Sequence, residues 1–153
     1  MQLNPVVQQG LNLPKPKYEQ AVLPPDITAL SSEQLAEMFT VLTGWADYMA
    51  SQLVQSQIAE RTAQRALDLA TNKLIVQRMG AATKGDKVTL IKAGIAIEPE
   101  ILDLEEVYEA KYAYRKMLEM MLSNQERDIT LVSREITRRT SDQRAFRKDY
   151  GTT

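Results

Sequence analysis

The residues best equipped for chemistry in this chain are arginines and lysines gathered near its C-terminal end. Between positions 134 and 148 stand Arg134, Arg138, Arg139, Arg144, Arg147 and Lys148, opposed by only Glu135 and Asp142, a local charge of +4. Arg127, Arg134 and Arg138 follow one another at spacings of seven and four, which sets them near one face of a helix. A guanidinium is planar and presents paired N–H donors, so the pattern fits phosphate recognition. Ser133, Thr137, Thr140 and Ser141 add hydroxyls as further donors. In a symmetric oligomer the patch repeats, and weak contacts to a nucleic-acid backbone add up. Aromatic residues for base stacking are few nearby, mainly Phe146 and Tyr150. The alternative reading is an ordinary basic helix end that complements its dipole, or a salt-bridging face.

Other chemistry is narrowed by what the chain lacks. It has no Cys, and so no disulfide, thiol nucleophile or thiolate metal site. It has no His, the commonest general base and metal ligand. Residues 98–109 carry six acids and no base, namely Glu98, Glu100, Asp103, Glu105, Glu106 and Glu109. A metal needs ligands that converge, whereas on a helix these side chains fan round more than half the circumference. Gly80 and Gly85 stand at the glycine positions of a phosphate-binding loop, but Asp86 occupies the lysine position and Lys87 comes one residue late. The expectation is a protein that is not an enzyme, with no cofactor and no metal.

Charged residues of both signs balance to a net charge of -1, so the whole chain favours no particular partner. No apolar run approaches the roughly 20 residues of a membrane span, and residues 1–5 lack the basic and apolar parts of a secretory signal. A soluble, intracellular protein is expected. Aromatic residues make up only 6% of the chain, and alanine and leucine dominate the apolar set, which suits helix packing better than a β-sandwich.

Two long helix-like stretches must position the basic end. From Leu35 to Gln77 there is no proline and one glycine, Gly44; from Pro99 to Thr140 there is no further proline and no glycine. The expected fold is all-α: a long antiparallel two-helix hairpin, coiled-coil-like, with a Pro-rich extended N-terminal tail. Its parts are a tail over 1–30 and a hairpin domain over 31–153, with a helix at 32–79, a joint at 80–97 and a helix at 99–140. Five of the six prolines fall in the tail, as Pro5, Pro14, Pro16, Pro24 and Pro25. Its apolar residues leave two readings, a floppy leader or a strap on a neighbouring subunit.

Ser31 and Gln34 form a capping-box pair, Leu30 and Leu35 a hydrophobic staple, and Gly80 supplies a stop. Gln52, Ser56, Ala59, Ala63, Ala66 and Ala70 read as a heptad seam of small residues. Leu104, Val107, Lys111, Tyr114, Leu118, Met121 and Gln125 read as the facing seam. Ile129, Val132 and Ile136 follow after one extra four-residue step. Lys111 and Gln125 are polar seam positions that could fix register. On this reading Ala63→Leu and Ala66→Leu each overpack the seam. The joint can hold a short helical turn after Asp86 or, less readily, a β-hairpin, with Val88, Leu90 and Ile91 covering the hairpin end. Apolar residues off the seams, among them Leu53, Ile58, Leu67, Leu74, Tyr108, Tyr112, Met117, Met120 and Leu122, exceed what two helices bury. A homo-oligomer is therefore expected. The acidic start and basic end of the second helix could also bring copies together.

The segments KVTLIKA at 87–93 and RDITLVSREITR at 127–138, with the acidic start at 98–100, carry a resemblance. The chain resembles the bacteriophage recombination mediator family (UvsY-like), small helical proteins of tailed phages. The resemblance implies a helical hairpin that assembles into a ring-like oligomer, binds single-stranded DNA and helps load a recombinase onto strands covered by single-strand-binding protein. It implies phosphate contacts at Arg127, Arg134 and Arg138, with Lys84 and Lys87 secondary, and the host cytoplasm as the setting. The alternative reading is a structural or assembly protein, a scaffold or adaptor acting through protein contacts. A small regulator that blocks a host protein is a third.

Overall fold

The computed structural model describes residues 12–81 and 87–150. Among these the regular elements are helical: a 3₁₀ turn at Ile27–Ala29, then α1 (Ser32–Ala81), α2 (Val88–Ala96) and α3 (Pro99–Tyr150). The long helices pack in two compact units, Met1–Gln52 with Glu119–Thr153, and Leu53–Leu118.

Helix α1 begins as its sequence dictates. The Ser31 amide donates to Gln34 Oε1 at 2.8 Å, and the Gln34 amide donates to Ser31 Oγ at 3.1 Å, a reciprocal capping box. The helix runs to Ala81, the last described residue before Lys87, one residue past the expected stop. Gly80 does not adopt the left-handed conformation that would end it. In the joint, α2 takes the place of any hairpin, and Ile95 rather than Val88 or Leu90 is its buried residue. Helix α3 continues through the basic stretch to Tyr150, well beyond the expected end at 140. Ion pairs from Arg138 and Arg139 to Glu135, and from Arg138 to Asp142, support that last length.

Within each unit, burial along α1 follows a three-four alternation, with Ser51 buried beside it. In the first unit it runs through Leu35, Phe39, Leu42, Ala46 and Met49. In the second it runs through Leu53, Ser56, Glu60, Ala63, Leu67, Ala70 and Leu74, each buried or half-buried. The expected small-residue seam shares Ser56, Ala63 and Ala70 with this stripe but is one residue early between them. Leu53 and Leu67 carry more apolar surface than Gln52 and Ala66, so the helix turns them inward and leaves Ala66 exposed.

Helix α3 shows the same correction. Its inward positions are Ile101, Leu104, Tyr108, Arg115 and Leu118 in the second unit and Leu122, Gln125, Ile129, Val132, Ile136 and Arg139 in the first, at three-four spacing but for the exposed Lys111, with Glu135 buried beside them. Val107, Lys111, Tyr114 and Met121 of the expected seam are exposed instead.

The core of the first unit is Leu35, Leu42 and Val132, all fully buried, with Leu23, Leu30, Phe39, Ile129 and Ile136 packed on it. The described part of the tail lies on the chain's own helices, which neither reading of a free leader nor of a strap on a neighbour anticipates. Trp45 Nε1 donates to the Tyr18 carbonyl at 3.2 Å, and Gln20 Nε2 donates to Gln125 Oε1 at 2.9 Å. Gly44 makes room for the strap. A Cβ there would collide with the Tyr18 hydroxyl.

Candidate nucleic-acid interface

The arginines of the C-terminal stretch sit on α3 in the first unit, on the turns that also supply Ile129, Val132 and Ile136 to the core. Since the apolar residues at 129, 132 and 136 face inward, helical geometry turns 127, 134, 138 and 141 outward. Arg127, Arg134, Arg138 and Ser141 are all exposed. The arginines on this face differ in how they are held.

Arg138 is the most engaged. It donates through Nε and Nη2 to the two oxygens of Glu135, at 2.8 and 2.7 Å, and through Nη1 to Asp142 at 2.9 Å. Arg139 points inward, with Nε on Glu135 at 2.7 Å and Nη2 on the Thr28 carbonyl at 2.9 Å. Arg139 thereby ties the 3₁₀ turn before α1 to α3. Glu135 is 7% exposed, and hydrogen bonds from Arg138 first and Arg139 second hold its carboxyl down to about 2. The same pairing, with Asp142 adding less, holds the Arg138 guanidinium above its ordinary value.

Arg127 donates to Asn124 one turn back. Arg134 and Arg144 are exposed and have no hydrogen-bond or ion-pair partner among the described residues. Lys87 is exposed and stands just before α2. Lys84 and the side chains of Arg147, Lys148 and Tyr150 lie outside the described residues.

One expectation for this face is corrected. The hydroxyls of Thr137, Thr140 and Ser141 donate to the carbonyls of Ser133, Ile136 and Thr137 at 2.9, 2.9 and 3.0 Å. A Ser or Thr side chain within a helix meets that carbonyl four residues back before it meets a ligand. Their protons are thus spent on the backbone, which leaves the arginines as the donors this face presents outward.

The sequence reading set Arg127, Arg134 and Arg138 foremost by spacing, and spacing does not show partners. Glu135 was counted there only as an opposing charge. Its three- and four-residue spacing to Arg138 and Arg139 was the signal that two of these cations serve the fold.

Among the described residues no group of carboxylates converges as a metal site, and no helix is long and apolar enough to cross a membrane. The chain matches no family model, no curated protein and no solved structure.

Proposed function

We propose that this chain is a non-enzymatic recombination mediator of the phage type, which binds single-stranded DNA as a homo-oligomer and assists recombinase loading. The observation that carries the reading is the outward arginine face of α3, where Arg134 stands exposed and without a partner between Arg127 and Arg138. Such a face grips a phosphate backbone without reading sequence, and its affinity falls steeply with salt. The resemblance at 87–93 and 127–138 adds the recombinase and single-strand-binding protein as partners and the host cytoplasm as the setting.

The same proposal takes the two long helices as antiparallel. Within the first unit, Leu42 meets Gln125 and Ser32 lies near Gln143; within the second, Glu60 meets Arg115 and Arg78 meets Glu98. Numbers that rise along α1 against numbers that fall along α3 support this. Self-association is supported by a second three-four stripe on α3, Val107, Ala110, Tyr114, Met117 and Met121, exposed throughout.

The competing reading is an assembly protein that uses this apolar stripe alone. The test is titration of a labelled single-stranded oligonucleotide with the Arg134→Glu, Arg144→Glu variant. Neither side chain has a partner among the described residues, so the fold should survive. The mediator reading expects binding to be lost; unchanged binding would remove the arginine face from the account.

A further inference from the structure

Midway along α3, residues 108–116 hold three tyrosines and three cations, Tyr108, Lys111, Tyr112, Tyr114, Arg115 and Lys116, against one acid, Glu109. The second unit draws part of this run into a cluster. Tyr112 is 42% exposed, with the Arg115 guanidinium 5.1 Å and the Lys116 ammonium 5.9 Å from its ring centroid. The Tyr108 ring stands 6.3 Å away at a tilt of 40°.

Arg115 is anchored from below. Glu60 of α1 accepts from it, and the two side chains are only 13% and 15% exposed. The half-buried pair fixes the guanidinium, and the guanidinium in turn holds the tyrosine ring. A ring held in place loses little freedom when a ligand stacks on it. The surroundings also separate this cluster from the apolar stripe. Val107, Tyr114 and Met117, at spacings of seven and three, suit a helix, whereas Tyr108 and Tyr112 stand one turn apart where the acidic start of α3, with Glu105 and Glu109, gives way to Lys111, Arg115 and Lys116. Aromatic faces beside positive charge are what single-stranded nucleic acid binders combine: cations for the backbone, rings for the bases.

We infer that Tyr112, with Tyr108 and Lys116 beside it, is a base-stacking site for single-stranded nucleic acid. The inference rests on the nucleic-acid reading above and adds to it a contact with bases. In that division the arginine face takes phosphates and this cluster takes a base.

The test compares two labelled oligonucleotides of equal length by fluorescence anisotropy, one of thymidylate and one abasic. They carry the same phosphates. Wild type should prefer the thymidylate strand by roughly 5- to 150-fold, the range for one stacked base. Tyr112→Ala should abolish that preference and leave abasic affinity unchanged. Tyr112→Phe should keep it, and Tyr112→Leu, which retains bulk without a π face, should behave as the alanine variant if the latter folds poorly. A base preference that survives in both non-aromatic variants would overturn the site while leaving backbone binding intact. A variant that keeps the preference but loses oligomer mass in sedimentation would make the ring a subunit contact instead. Binding of neither strand by wild type would sink this inference and the functional reading together.

Discussion

Glu135 shows how one side chain can serve both fold and charge pattern. Its carboxylate is held by Arg138 and Arg139, and through Arg139 it is linked to the Thr28 carbonyl. Its folded-state value, about 2, lies below the ordinary 4.5, so the pairing stabilises the fold fully at neutral pH. That stabilisation should be lost as pH falls from about 4.5 towards 2, when the folded carboxylate takes up its proton. Glu135→Gln should lower the Tm at pH 7 and flatten its decline over that acid window, measured by circular dichroism. A second residue-scale prediction concerns Gly44. Alanine there gains about 1 kcal/mol of helix propensity but pushes Tyr18 off α1. Trp45, the only tryptophan, donates to the Tyr18 carbonyl, so Gly44→Ala should red-shift its emission. An unchanged spectrum would mean that the strap accommodates the methyl.

At the scale of elements, the stripe on α1 separates two substitutions that sequence alone treated alike. Ala63 is 9% exposed and lies on the stripe, so Ala63→Leu should overpack it and cost about 1–3 kcal/mol. Ala66 faces solvent, so Ala66→Leu should stay within about 0.5 kcal/mol. Leu42→Ala, in the core of the first unit, should cost about 2–5 kcal/mol in denaturant titration. The helices themselves were legible because nothing within Leu35–Gln77 or Pro99–Thr140 breaks a helix and the Ser31–Gln34 box marks a start. Their faces were less so, for a physical reason. Glu60 and Arg115 occupy inward positions as a half-buried ion pair, and a search for apolar repeats passes over charged residues. With Arg115 skipped, the pattern on α3 slid onto Val107, Tyr114 and Met121 and needed an extra step to recover at Ile129. The cluster around Tyr112 was hidden likewise, since its order comes from Glu60, 55 residues away in sequence.

At the scale of the molecule, two exposed features of α3 define the proposed work: an arginine face for backbone and an apolar stripe for self-association. Met117→Glu with Met121→Glu places charge on the stripe and should lower the sedimenting mass without loss of helicity; unchanged mass would put the subunit contact elsewhere. The most direct measurement is anisotropy of a labelled single-stranded oligonucleotide titrated with wild-type protein at about 50 mM and then 200 mM salt. Binding that weakens by orders of magnitude between the two conditions is the result expected of a phosphate-gripping face. No binding at the lower salt, from protein shown to be folded and associated, would contradict the account.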